Sequence, residues 1–296
     1  MTTAEMTAKM AAGNGFIAAL DQSGGSTPKA LAGYGIAANA WSDEAGMYAL
    51  IHEMRSRIIR SAAFSGDKVL GAILFERTMD GMVDGASVPA ALIAKGIVPF
   101  IKIDKGLEDE AHGVQLMKPM PDLDALLVRS KALGVYGTKE RSVINSADAA
   151  GIAGIVAQQF EVGRQVLSHG MMPMLEPEIN IKSATRAECD TILRDEILKA
   201  LAGMDQQVML KLSLPVVPGT YDALVAHPKV LRVVALSGGY QRSEACAELA
   251  KNRGIIASFS RALLQDLSFA MSDGEFDVAL GSAIDEIYTG STVKTA

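Results

Sequence analysis

Lys211 is the one charge in the apolar run Val208-Met209-Leu210-Lys211-Leu212-Ser213-Leu214-Pro215. An ammonium among strand-forming residues is costly unless something pairs or uses it. Apolar surroundings can also favour a neutral amine, and a neutral amine is a nucleophile for a carbonyl carbon. The chemistry this points to is Schiff-base formation. Other short apolar runs also carry charges near their carboxyl ends. Strand side chains alternate between faces, so Met209, Lys211 and Ser213 share one face, as do Ile17, Ala19 and Asp21. The same spacing groups Phe100 with Lys102 and Asp104, Val135 with Gly137, Lys139 and Arg141, and Met174 with Glu176 and Glu178. Carboxylates beside a reactive lysine can move protons. A buried ion-pair network of this size is a costly way to stabilise a core, so the cluster as a whole reads as functional. Taken singly, Asp104 and Arg141 fit a structural pairing equally well.

Eight apolar runs are candidate strands: 16–21, 69–75, 98–104, 135–140, 173–178, 207–214, 230–236 and 255–258. Amphipathic stretches separate them. One runs from a cap at Ser42 to Arg60, with Met47, Ile51, Met54 and Ile58 on one face. Ile152, Ile155, Val162 and Val166 mark another. A third starts at the capping box Thr185-Arg186-Ala187-Glu188 and carries Leu193, Ile197 and Leu201; Ser243-Glu244 opens a fourth. Eight strand-helix units in 296 residues predict an α/β fold, a (β/α)8 TIM barrel, over an open doubly wound sheet. No linker or repeat divides the chain, so residues 1–296 are expected to form a single catalytic domain.

In such a barrel the carboxyl ends of the strands build the active site, and the loops after strands seven and eight often hold phosphate. Ser237-Gly238-Gly239 ends the seventh run, and Arg261 follows the eighth. Small residues with free amides and an arginine suit a phosphate. Gln22-Ser23-Gly24-Gly25-Ser26 follows the first run. Either stretch alone could be an ordinary turn. Two of them flanking one charged mouth suggest a substrate with two phosphates.

The formal charge of −6 argues against nucleic-acid binding. No run of 18 uncharged apolar residues predicts a membrane span. The N-terminal segment lacks the pattern of a secretory signal, and two isolated cysteines, Cys189 and Cys246, suit free thiols, so the expected location is cytoplasmic. His52, His112, His169 and His227 form no metal-binding motif, and there is no Walker A or dinucleotide fingerprint. No metal and no cofactor are expected.

Taken in order, these residues resemble the class I (Schiff-base) fructose-bisphosphate aldolases, most closely the bacterial type. The resemblance rests on Ala19-Leu20-Asp21-Gln22-Ser23-Gly24-Gly25-Ser26, Ile101-Lys102-Ile103-Asp104-Lys105-Gly106, Gly137-Thr138-Lys139-Glu140-Arg141, Leu175-Glu176-Pro177-Glu178, Met209-Leu210-Lys211, Leu236-Ser237-Gly238-Gly239 and Ser260-Arg261-Ala262-Leu263. It implies that Lys211 attacks the substrate ketone, that Glu176 serves carbinolamine formation and dehydration, and that Asp21 takes the C4 hydroxyl proton. Lys139 would support this network. Ser237, Gly238 and Arg261 would hold one phosphate; Ser23, Ser26 and Lys102 would face the other end of the sugar, and Arg141 would join the substrate contacts. Lys102 and Lys139 near Lys211 would favour its neutral form by like-charge repulsion. A homo-oligomer is implied, and the partner is a phosphorylated sugar.

The chain departs from the animal pattern. Gln22 replaces an acidic residue, Glu140 replaces a tryptophan, and the Phe259-Ser260-Arg261 stretch is two residues shorter before its arginine. The sequence ends Thr292-Val293-Lys294-Thr295-Ala296 without a terminal tyrosine, so the resemblance leaves open which group exchanges the enamine proton; Tyr288 is better read as a packing residue. A C4-epimeric ketose bisphosphate, an isomerase or epimerase on the same barrel, and a non-catalytic sugar-phosphate binder remain rival readings.

Overall fold

Runs of Val, Ile, Leu and Ala that bury both faces suit a parallel sheet covered by helices. The computed structural model describes residues 1–295 and contains all eight expected runs as strands. They are β1 Phe16–Leu20, β2 Val69–Leu74, β3 Val98–Lys102, β4 Gly137–Ile144, β5 Met172–Ile179, β6 Val208–Ser213, β7 Val230–Leu236 and β8 Ile255–Phe259. Every neighbouring pair is parallel, and β8 pairs with β1. The β3–β4 ladder, with Phe100 opposite Gly137 and Lys102 opposite Lys139, closes the ring. This is the (β/α)8 barrel.

Helices fill the crossovers: α1 Thr3–Ala12 precedes β1, and α2 Thr27–Gly33 and α3 Glu44–Arg60 follow it. Then come α4 Glu76–Met79 and α5 Val88–Ala94 after β2, α6 Leu123–Ala132 after β3, α7 Ala149–Ser168 after β4, and α8 Arg186–Leu201 after β5. The rest are α9 Asp222–Val225, α10 Arg242–Ala250, α11 Arg261–Leu264 and α12 Asp273–Thr292.

The strands separate two cores. Outward-facing Leu20, Leu74, Ile101, Leu175, Leu210 and Ala257 pack against the helices. Inward-facing Ile17, Phe100, Met174, Met209, Val234 and Ile256 fill the barrel, joined from below by Met6 and Met10 of α1. That N-terminal helix, closed by a Thr2–Glu5 capping box, was not foreseen in the sequence. Gly137 is needed where β4 meets Phe100: an added Cβ would lie 2.3 Å from the Met172 carbonyl and 2.8 Å from the Phe100 ring.

Several boundaries differ from expectation. The fourth strand starts at Gly137 rather than Val135, because the Val135 N–H closes the end of α6 on the Ser130 carbonyl. Its other end reaches Ile144, paired to β5 throughout and to Val114–Gln115 on its other side. Asp43, not Ser42, caps α3, accepting the Gly46 N–H at 2.7 Å. The expected Thr185 capping box does not form, because the Thr185 hydroxyl accepts the Ala147 N–H instead. Cys189 and Cys246 are buried free thiols. Among the described residues, no helix is long and apolar enough to cross a membrane.

Candidate active site

The charged residues stand at the carboxyl ends of the strands, around a cavity of about 730 Å3. Asp21 leaves β1, Lys102 ends β3, Lys139 and Arg141 lie on β4, Glu176 and Glu178 on β5, and Lys211 on β6. All seven line the cavity, with Ser26, Ser237, Gly238 and Arg261 at its rim. Ser23 does not line it but accepts a hydrogen bond from Lys102 Nζ at 2.7 Å.

The central residues form one continuous ion-paired chain. Lys211 Nζ lies 2.9 Å from Glu176 Oε1, Glu176 Oε2 lies 2.8 Å from Lys139 Nζ, and Lys139 Nζ lies 2.7 Å from Asp21 Oδ2. All four are buried. Signs alternate along the chain, so each charge finds its opposite without water. Burial would raise Asp21, but Lys139, Lys211 and Lys102 outweigh it and hold the carboxyl far below the usual carboxylate range. Burial also opposes charge on Lys139, yet Asp21, Glu176 and Asp104 drive its ammonium above the ordinary lysine value. Glu176 is likewise lowered against its own desolvation, by Lys139 and Lys211.

The lysines do not meet as a bare cationic cluster. Glu176 stands between Lys211 and Lys139, so Lys211 is matched by a carboxylate. The strands explain the placement. The β5–β6 ladder pairs Met174 with Met209 and Leu175 with Leu210. Above that, the Ser213 hydroxyl bridges the gap, bonding Ile179 N and O at 2.9 Å each. Glu176 and Lys211 occupy the stretch between. Behind them, buried Gln159 of α7 accepts the Glu176 N–H at 3.2 Å and donates to the Glu140 carbonyl and the Ser142 hydroxyl.

The two flanking loops also converge. Gly238 and Gly239 have φ of 62° and 116°, the left-handed region that glycine tolerates. Arg261 lies over this turn: a Cβ at Gly239 would be 3.5 Å from its Nη2. The shorter Phe259-Ser260-Arg261 stretch still brings the arginine beside Gly239. On the other loop, the Ser26 hydroxyl is engaged with Ser23, accepting its N–H at 2.9 Å and donating to its carbonyl at 2.8 Å. Asp104 sits 3.3 Å from Lys102 and accepts the Arg141 N–H, while the Arg141 guanidinium pairs with Glu178.

Sequence reasoning missed Lys29, Tyr34, Ser260 and Gln265, which also line the cavity. Lys29 and Tyr34 sit on or beside α2, a short helix with no apolar repeat to announce it. The Tyr34 hydroxyl is occupied by Arg57 at 3.0 Å. Tyr288 lies on α12, under the Lys68 ammonium at 5.9 Å from the ring centre, and does not line the cavity. Among the described residues, no three His, Cys, Asp or Glu side chains are grouped so as to hold a metal ion; Asp21 and Glu176 face lysines, and Glu178 faces Arg141.

Comparison with known proteins agrees with this fold. The family model described as fructose-bisphosphate aldolase class-I matches residues 2–215. The fold is similar to a fructose-bisphosphate aldolase from Plasmodium falciparum in a complex with TRAP and a small-molecule inhibitor. Identity is 18%, coverage is 99% of this chain and 96% of that one, and the TM-score is 0.81. An archaeal fructose 1,6-bisphosphate aldolase matches at 13% identity, over 97% of this chain and 99% of that one, with a TM-score of 0.57. An archaeal aldolase structure whose catalytic Lys is covalently bound to the carbinolamine intermediate matches at 13% identity, over 97% and 100%, with a TM-score of 0.54.

Proposed function

The chain belongs to the class I fructose-bisphosphate aldolase family, and from that premise we propose that it cleaves fructose 1,6-bisphosphate reversibly, without a metal, through a Schiff base on Lys211. The products are glycerone phosphate and glyceraldehyde 3-phosphate. The observation that carries this reading is the buried chain Lys211–Glu176–Lys139–Asp21, with contacts of 2.9, 2.8 and 2.7 Å. It supplies a nucleophile, a proton carrier on one side and a base on the other.

In this mechanism Lys211 hands a proton to Glu176, and its neutral amine attacks the C2 ketone. Glu176 returns that proton to the carbinolamine hydroxyl, which leaves as water, and the C2 iminium remains. Asp21 takes the C4 hydroxyl proton. The C3–C4 electron pair then flows into the iminium, giving an enamine and free glyceraldehyde 3-phosphate. Protonation at C3 and hydrolysis release glycerone phosphate. Lys139 stabilises the ionised Asp21 and Glu176 between steps. Ser237, Gly238 and Arg261 hold one phosphate; Ser23, Ser26, Lys102 and Arg141 face the other end of the sugar. The enzyme would serve glycolysis and gluconeogenesis in the cytoplasm as a homo-oligomer of single-domain subunits of the bacterial type.

Borohydride reduction with fructose 1,6-bisphosphate in EDTA, followed by peptide mass mapping, tests the chemistry. The expected result is a reduced adduct on Lys211 with matching loss of activity. Folded protein that binds sugar phosphates yet yields no adduct would overturn it.

A further inference from the structure

Arg55 of α3 is the largest side chain buried in the protein with no exposure at all, at 0%. It lies on the apolar stripe of that helix, between Ile51 and Ile58. Among the described residues, no carboxylate lies within ion-pair distance of it. Its Nη1 donates to the Thr78 hydroxyl at 2.6 Å, and its Nη2 donates to the Gln22 carbonyl at 2.6 Å and to Gln22 Oε1 at 3.0 Å. Its Nε has no partner. Burial pushes this guanidinium down to about 10, with Asp21 acting against that shift. An unpaired cation in a core is unfavourable, and an aliphatic side chain would fill the space at less cost. What the arginine does there is hold Gln22.

Gln22 sits between two working residues. Asp21 before it pairs with Lys139, and Ser23 after it accepts from Lys102. Arg55 fixes Gln22 Oε1, which turns the amide nitrogen the other way. That nitrogen donates to the Ser260 hydroxyl at 2.7 Å and to the Ala19 carbonyl at 3.4 Å. Ser260 immediately precedes Arg261, whose guanidinium lies over Gly239. Gln22 therefore ties the loop after β1 to the loop after β8. A carboxylate at this position could accept from Arg55 but would have no N–H for Ser260.

We propose that Arg55 is a positioning residue, acting through Gln22 to fix Asp21 at the reacting carbon and to set the separation of the two phosphate-binding loops. The inference rests on the aldolase reading above. It is tested by steady-state kinetics of the full chain on fructose 1,6-bisphosphate and fructose 1-phosphate, with thermal denaturation of each variant. Arg55→Met is expected to lower kcat on the bisphosphate about tenfold or more, since small misplacement of a reacting group is costly. Arg55→Lys keeps a donor for the Gln22 carbonyl and recovers part of the loss. Gln22→Met keeps that carbonyl contact but cuts the link to Ser260. It is expected to raise KM for the bisphosphate about tenfold, with kcat changed by less than about threefold. KM for fructose 1-phosphate, which needs only one loop, stays near that of the parent.

Variants that melt lower yet match the parent in kcat and KM would make Arg55 a purely structural group and overturn the inference. Should Arg55→Met fail to fold, Gln22→Met decides, and an unchanged KM overturns it. A parent that is not trapped at Lys211 and turns over neither sugar would remove the aldolase reading, and this inference with it. A trapped, active parent with unaffected variants would remove this inference alone.

Discussion

Along five of the eight strands, the floor and the mouth of the barrel interior are two residues apart and opposite in character. On β6 they are Met209 and Lys211, on β5 Met174 and Glu176, on β3 Phe100 and Lys102, on β4 Gly137 and Lys139, and on β1 Ala19 and Asp21. The floor is apolar, sealed by Met6 and Met10. The mouth carries charges almost as deeply buried, each facing an opposite charge within 3 Å along the central chain. The same strand geometry thus serves stability below and chemistry above. At the mouth, a buried charge is tolerated because its partners are already built in.

Exchanging the two layers on β6 is the severest test of that division. Lys211→Met is expected to reduce cleavage by about four orders of magnitude or more, as with other covalent nucleophiles, while the protein still melts cooperatively. Met209→Lys puts an ammonium one layer lower, among Ile17, Phe100 and Met174, where no carboxylate has been placed. It is expected to cost several kcal/mol and to leave little soluble folded protein. A soluble Met209→Lys protein melting like the parent would show that the floor tolerates a charge as the mouth does.

A smaller change sharpens the mouth. Glu176→Gln keeps the shape but removes the proton carrier between Lys211 and Lys139. Turnover should fall by about 10²- to 10⁴-fold, the usual range for a lost acid-base group, with reduced trapping at Lys211. Activity within threefold of the parent would sink the role given to Glu176.

The division was legible in the sequence because period-two alternation placed Lys211, Lys139, Glu176 and Asp21 on inward faces before any contact was known. The barrel followed from eight apolar runs and their spacing. What stayed hidden depends on contacts that a one-dimensional pattern does not carry. Arg55 reads as one more member of an amphipathic helix, although a charge on the Ile51–Ile58 stripe was a signal available to be read. Gln159 reaches the backbone of β5 from a helix face that looks apolar. The alternation of sign along the mouth could not be seen either, because it depends on which strands neighbour each other. The hairpin Met82–Val83 with Ala86–Ser87 turns on Asp84 and Gly85, both at positive φ, and an Asp-Gly pair is a recognised hairpin signal.

On the floor, Gly137→Ala probes packing without charge. Its Cβ would meet the Met172 carbonyl at 2.3 Å and Phe100 at 2.8 Å. The carbonyl belongs to the adjoining strand and cannot give way cheaply. The expected loss is about 1–3 kcal/mol, the usual cost of overpacking, read as a lower midpoint in urea. Turnover per folded molecule should stay close to that of the parent, because the strain falls a layer below Lys139. A fall in kcat larger than the fall in stability would mean that floor and mouth are coupled.

The smallest expected effect comes from Glu140, which adjoins Lys139 in sequence but faces the helices. It is fully buried at 0% exposure; Oε2 accepts from the Thr138 hydroxyl at 3.3 Å and Oε1 has no partner. Burial raises this carboxyl well above its ordinary range, with Asp104 and Glu176 adding to the shift and the Thr138 hydrogen bond and Lys139 only partly opposing it. An acid whose folded value is raised binds its proton more tightly when folded. Its stability is therefore greatest below the unfolded value of about 4.3 and declines as pH rises toward the folded one. Glu140→Gln has no such proton to lose. Its melting temperature should exceed the parent's by about 2 °C or more at pH 8, and the gain should vanish near pH 4. Equal melting curves at pH 8 would mean that this carboxyl finds a partner after all, and that a lone acid can sit behind the barrel as comfortably as the paired ones sit at its mouth.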